Sequence, residues 1–138
     1  MKIKNQSLAV KQSLAVKRAR TGLGLFTLKR IPNNRRIVEY TGTLLKGEDR
    51  EKARGRYLFE IDDNRVIDGS TRSNLARYIN HSCEPNSKGF ISGNSIWIWS
   101  LRVIEAGEEI TLDYCKDYVE QFIKPGNCKC AKCDPAER

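Results

Sequence analysis

Asn74-Leu75-Ala76-Arg77-Tyr78-Ile79-Asn80-His81-Ser82-Cys83-Glu84-Pro85-Asn86 sets a histidine, a cysteine and three asparagines around one proline turn. So dense a run of side chains able to hydrogen-bond or ligate is seldom explained by packing alone. Downstream, Gly107-Glu108-Glu109-Ile110-Thr111-Leu112-Asp113-Tyr114 follows an apolar strand, and Cys128-Lys129-Cys130-Ala131-Lys132-Cys133 lies near the C-terminus. His81 is the one histidine of the chain, so histidine-dependent acid-base chemistry must use that ring, with Cys83 as the first nucleophile to suspect.

A length of 138 residues suits one domain with its own core. The hydrophobic share of 39% and charged share of 30% fit a globular protein. No apolar run approaches the roughly 20 residues that span a bilayer, so no membrane partner is expected. Lys2, Lys4, Lys11 and Lys17 punctuate short apolar pairs, unlike the continuous apolar centre of a secretory signal, and an intracellular location is expected. The formal charge of +8 suits nucleic acid or an acidic partner, although no interleaving of aromatic and basic residues along the chain marks an RNA-binding motif. A solvated basic surface is the simpler account of the charge and is the one preferred.

The hexapeptide Gln-Ser-Leu-Ala-Val-Lys occurs twice, at 6–11 and 12–17. Six residues are too few for a solenoid unit, so the duplication offers a first strand two registers, of which the second, running toward Arg20, is expected. Gly22 and Gly24 are expected to form a turn before Leu25-Phe26-Thr27. Ile37 to Tyr40 reads as a strand ended by Gly42, and Lys46 to Arg56 as a charged helical or irregular stretch. Tyr57 to Ile61 and Arg65 to Ile67 read as a hairpin about Asp62-Asp63-Asn64. Asn74 to Ile79 suits one or two helical turns. Ser95 to Leu101 is apolar on both faces and expected to be sandwiched, its two tryptophans in the core. Glu105 to Glu108 reads as a turn and Ile110 to Tyr114 as a last short strand. The pattern is a mostly β domain of short sheets.

Three cysteines at 128, 130 and 133 form a C-x-C-x-x-C cluster, and five in all is an odd number, which favours metal ligation over a disulfide framework. Tetrahedral structural zinc takes four ligands, leaving Cys83 or Cys115 to supply the last.

Taken together, Asn80-His81-Ser82-Cys83, the Gly107–Tyr114 segment and the terminal cysteines resemble a SET domain with a post-SET zinc-binding tail, of the small stand-alone type known in bacteria and large viruses. The resemblance runs from about Ser13 to Cys133. It implies a β-clip of short sheets in which the Asn80-His81 segment threads beneath a loop as a pseudoknot. The implied divisions are a basic extension at 1–12, the SET domain at 13–116 and the tail at 117–138.

It also implies an S-adenosylmethionine-dependent protein lysine N-methyltransferase acting on histones or other basic proteins, in the cytoplasm or on chromatin, including that of a host. Gly22, Leu23, Gly24 and Leu25 match the glycine loop bordering S-adenosylmethionine, and Asn80 and His81 match the family's cofactor-binding pair. Tyr114 matches the catalytic tyrosine and Tyr40 a second aromatic of the lysine channel, with Tyr57 and Leu112 as further lining. Cys83 would join Cys128, Cys130 and Cys133 on Zn(2+). Thr43 stands where the family usually has Glu, and Leu112 where Phe or Tyr is common. A leucine there leaves room for several methyl groups. Asn74, Arg77, Asn86, Glu109 and Asp113 are expected to brace the threaded segment. Two other readings compete: a catalytically weak zinc module binding basic tails or nucleic acid, and a Cys-His hydrolase built on Cys83 and His81.

Overall fold

The computed structural model describes residues 8–20 and 22–113. Its first lesson comes from the duplicated hexapeptide. Leu-Ala-Val-Lys lies in helix α1 (Leu8–Ser13) in the first copy and in strand β1 (Leu14–Ala19) in the second. Identical local sequence takes two conformations, so neighbours and not propensity decide. The second copy pairs antiparallel with β2 (Gly22–Thr27), from Leu14 opposite Thr27 to Ala19 opposite Gly22. The expected register is therefore the one adopted. Gly22 and Gly24, however, lie within β2 and not in a turn, because the chain reverses between Ala19 and Gly22.

A three-stranded antiparallel sheet follows, with β4 (Thr43–Lys46) and β5 (Leu58–Glu60) flanking β6 (Arg65–Asp68). The hairpin between β5 and β6 closes because Asp62 Oδ1 accepts from the backbone N–H of Asn64 at 2.9 Å and Arg65 at 2.8 Å, an aspartate turn of the kind the sequence suggests. The charged stretch contains a short helix, α2 (Gly47–Lys52), which buries no residue.

The five-stranded sheet has the order β3 (Arg36–Glu39), β9 (Ser95–Ser100), β8 (Ser87–Ser92), β10 (Thr111–Leu112), β7 (Asn80–His81). Strand β8 escapes the sequence pattern because Ser-Lys-Gly-Phe-Ile-Ser alternates poorly and carries a glycine. That glycine is required: a Cβ on Gly89 would stand 2.7 Å from the Phe59 ring of the neighbouring sheet. In β9, Ile96, Ile98 and Ser100 face the core, whereas Trp97 and Trp99 lie half-buried on the outer face. The sandwiched strand with core tryptophans is thus corrected to a strand buried on one face.

Strand β10 runs parallel to both neighbours, Thr111 beside Asn80 and Leu112 beside His81 on one flank and Ser87 on the other. Residues 82–86 therefore cross from one side of β10 to the other. Leu25, Val38, Ile79, Ile96, Ile98, Ile104 and Ile110 form the buried centre. No described helix is long and apolar enough to cross a membrane.

Among the described side chains of helix α1, Val10 packs half-buried against this centre. Half-burying one valine is worth about 1 kcal/mol. Removing one hexapeptide, which yields the same protein whichever copy is deleted, should therefore lower the melting temperature by no more than about 4 °C. A thermal melt showing a drop beyond about 10 °C would mean that the helical copy supports the hairpin.

Candidate active site

Two groups of the residues singled out above meet across β10. The first surrounds β2. Asn80 Nδ2 donates to the Leu23 carbonyl at 2.9 Å and to Glu109 Oε2 at 2.8 Å, so its amide hydrogens clamp β2 to the segment before β10. Gly24 permits this clamp, because a Cβ there would lie 2.5 Å from Glu109 Oε2 and 3.1 Å from Asn80 Nδ2. Gly22, at φ +130°, has open space where a side chain would stand, and Leu23 is 56% exposed. The surface beside Gly22 and the Leu23 side chain is accordingly open, the Leu23 carbonyl is held by Asn80, and Gly24 and the buried Leu25 face inward. Burial pushes the Glu109 carboxyl above its ordinary range, and the Asn80 hydrogen bond only partly opposes this.

His81 lies at the far end of the same clamp, its side chain 5% exposed. Burial holds its pKa below the ordinary value, against the opposing charge of Asp113, so the ring is neutral near pH 7. Nε2 lies 3.3 Å from Cys83 Sγ, and Nδ1 lies 3.8 Å from Asp113 Oδ1. The latter distance exceeds a hydrogen bond, so Asp113 does not orient the ring as the third member of a hydrolytic triad would. Cys83 itself is exposed. Cys128, Cys130 and Cys133, its expected co-ligands, lie outside the described residues, as do Cys115 and Tyr114. Among the described residues no three candidate ligands gather into a metal site.

The second group lines a cleft of about 570 Å³ walled by Tyr40, Tyr57, Phe59, Arg77, Leu112 and Asp113, among others. Tyr40 is 6% exposed, and its hydroxyl donates to the Tyr57 carbonyl at 2.7 Å. The Phe59 ring meets Tyr40 edge-on, centroids 5.1 Å apart. Asn74 fixes the backbone beside Tyr40: its Oδ1 accepts from Thr41 N at 3.0 Å and its Nδ2 donates to the Gly69 carbonyl at 3.0 Å. That is the bracing expected of it. Arg77 does more than brace. Its Nη1 donates to the Ser70 carbonyl at 2.7 Å, its guanidinium lies 4.4 Å over the Tyr57 ring, and its buried Nε has no hydrogen-bond partner among the described residues. Thr43 sits on β4 opposite Asp68 and is not among the cleft-lining residues.

Tyr40, Tyr57 and Leu112 are thus brought together, as are Gly24, Asn80 and, through the ladder, His81. Leu112 links the groups, because it walls the cleft and pairs with His81. Phe59 went unnoticed in the sequence, although its i, i+2 spacing from Tyr57 puts both on one side of a strand.

A family model described as SET domain matches residues 22–115. The chain belongs to the SET domain family. Among curated relatives, the histone-lysine N-methyltransferase trithorax of Drosophila virilis is 37% identical over 124 residues, covering 81% of this chain and 3% of that protein. The histone-lysine N-methyltransferase set1 of Dictyostelium discoideum is 39% identical over 123 residues, covering 80% and 8%. The corresponding set-2 of Caenorhabditis elegans is 44% identical over 106 residues, covering 67% and 7%. The chain therefore spans under a tenth of the length of these relatives. The SET match begins at the first residue of β2, and β1 extends the folded unit back to Leu14.

The raised Glu109 pKa carries a sign. The folded protein holds that proton more tightly than the unfolded chain, so the group's stabilising contribution is full below the ordinary value of 4.5 and is lost as pH rises through the folded value. Glu109→Gln, which keeps an oxygen for Asn80, should become more stable relative to the parent between pH 4 and pH 7 in urea titrations. The opposite trend would show that the carboxylate is stabilised in place.

Proposed function

We propose that this SET domain is an S-adenosylmethionine-dependent protein lysine N-methyltransferase whose substrate is a histone or similarly basic protein. One observation carries the reading: Tyr40, Tyr57, Phe59 and Leu112 converge on a single cleft whose Leu112 wall is hydrogen-bonded through the sheet to the Asn80-His81 segment. The relatives' names as histone-lysine methyltransferases support it, and an intracellular, chromatin-directed location belongs to the same proposal.

The Gly22-Leu23 main chain, inner-facing Gly24 and Leu25, and Asn80 with His81 would hold the cofactor. When bound it supplies an electrophilic methyl group on a sulfonium. The fit rests on the open space at Gly22 and on the amide clamp, which engages Asn80 Nδ2 and leaves Asn80 Oδ1 to meet a ligand. In the cleft, the Tyr40 hydroxyl is committed to the Tyr57 carbonyl, which makes that ring a fixed wall. Tyr114 is then the phenol that aligns the incoming amine. An apolar wall of Leu112 and Phe59 excludes water and favours the neutral, nucleophilic amine, so no dedicated base is needed. The carbon–nitrogen bond would form as the methyl–sulfur bond breaks, the positive charge passing from sulfur to nitrogen, and the resulting ammonium would lose its proton to solvent. Leu112 offers neither ring nor hydroxyl to restrict the amine, which favours more than one methylation.

In the same reading the domain occupies 13–116 and residues 117–138 form a post-SET tail in which Cys128, Cys130, Cys133 and Cys83 bind one structural zinc. The exposed Cys83 sulfur beside a neutral imidazole suits a thiolate ligand.

Labelled methyl transfer to a histone N-terminal peptide tests the activity. Tyr114→Phe should lower turnover about a hundredfold, the size of a lost positioning contact, with cofactor affinity nearly unchanged. Unaltered turnover would remove the hydroxyl from the mechanism. Metal analysis of the full chain should find about one zinc per molecule, lost on chelation and halved or less in Cys83→Ser. Undiminished zinc in Cys83→Ser would move the fourth ligand to Cys115.

A further inference from the structure

The outer face of the five-stranded sheet touches the groups described above only at Lys88, which also lines the cleft. Its register sets two transverse rows. Arg36, Trp99 and Lys88 are cross-strand neighbours on β3, β9 and β8, and beside them Trp97 pairs with Phe90. The Arg36 guanidinium lies 4.3 Å over the Trp97 ring, and Lys88 Nζ lies 5.4 Å over Phe90. Phe90 meets Trp99 edge-on at 6.1 Å and is 46% exposed. The carboxylate of this ladder, Glu39 opposite Trp97, is buried, so the face presents rings and positive charge. Aromatic and basic residues that do not interleave along the chain therefore interleave across three strands.

We propose that this face binds single-stranded RNA. Flat rings on adjacent strands are platforms for unpaired bases, which persist in cells chiefly as RNA, and the flanking cations suit the phosphates between them. The overall charge of +8 adds long-range attraction for the same polyanion. An exposed cation over a ring is held only weakly, so Arg36 and Lys88 can turn from ring to phosphate as a base stacks. A duplex, whose bases are already stacked, gains nothing from the rings. Lys88 also lines the cleft, so bound RNA would lie beside the proposed substrate site without depending on catalysis.

Fluorescence anisotropy of the full chain with a labelled oligouridine, repeated over a salt series, separates the two contributions. Phe90→Ala should weaken binding about tenfold and leave the salt slope unchanged, because stacking releases no counterions. Lys88→Gln and Arg36→Gln should each lower the slope by roughly 0.7. Lys52→Gln, on exposed α2, which packs against β4 and β6 of the three-stranded sheet, should do neither. Equal effects from Lys52 and Lys88, a duplex bound as tightly as the single strand, or concentration-dependent dimers abolished by Phe90→Ala would each overturn the assignment. Tryptophan fluorescence quenched by oligouridine is expected independently of any variant, and its absence at saturating RNA would count against the face.

Discussion

The Asn86 side chain is the interaction on which both halves of the site depend. Strand β10 is two residues long, too short to hold a register by its own ladder. Asn86, 4% exposed, supplies the missing bonds: its Oδ1 accepts from Thr111 N at 2.9 Å and its Nδ2 donates to the Glu109 carbonyl at 2.8 Å. Its own N–H donates to Thr111 Oγ1 at 3.2 Å, and Ser87 Oγ donates to Oδ1 at 2.9 Å. Each buried polar group left unpaired would cost about 1–3 kcal/mol, so the set is far stronger than its two-strand neighbourhood suggests. Releasing β10 would move Leu112 from the cleft wall and Glu109 from the Asn80 clamp together.

Asn74 plays the matching part on the other side, tying Thr41 to Gly69 behind Tyr40. Both asparagines belong to the stretch that made the sequence readable, and both were legible as braces because a buried amide must find partners on both its oxygen and nitrogen. The tyrosine wall was legible only through the family resemblance, which singles out Tyr40 and Tyr57, because an aromatic beside a strand is by itself no mark of a channel. The β5–β6 hairpin followed from its aspartate turn.

What escaped was long-range pairing. Strand β8 has no period to betray it, and nothing local says that Gly89 must admit Phe59. The outward direction of Trp97 and Trp99 depends on which face of β9 meets Ile79 and Ile110, a choice made by the whole core. The duplicated hexapeptide states the same limit most directly. Leu-Ala-Val-Lys is a strand where β2 waits fifteen or fewer residues downstream to receive it and a helix where that partner is already taken. Recognition of the SET motifs supplied the topology that hydrophobic periodicity could not.

A domain of such short strands still needs rigid walls, and the glycines show how it obtains them. Gly89 lets the Phe59 ring cross from the three-stranded to the five-stranded sheet, and Phe59 then abuts Tyr40. Gly69 lets Tyr40 and Asn74 close on the backbone, and Gly24 lets Asn80 and Glu109 close on β2. Each is a place where one layer touches another with no side chain between them. Close contact between layers replaces strand length as the source of stiffness, because well-packed interiors resist deformation wherever a ring or amide has no space to move. The cleft can therefore hold its shape although its wall strand β10 has only two residues, and the cost is that a methyl group at any of these glycines would disturb more than one sheet at once.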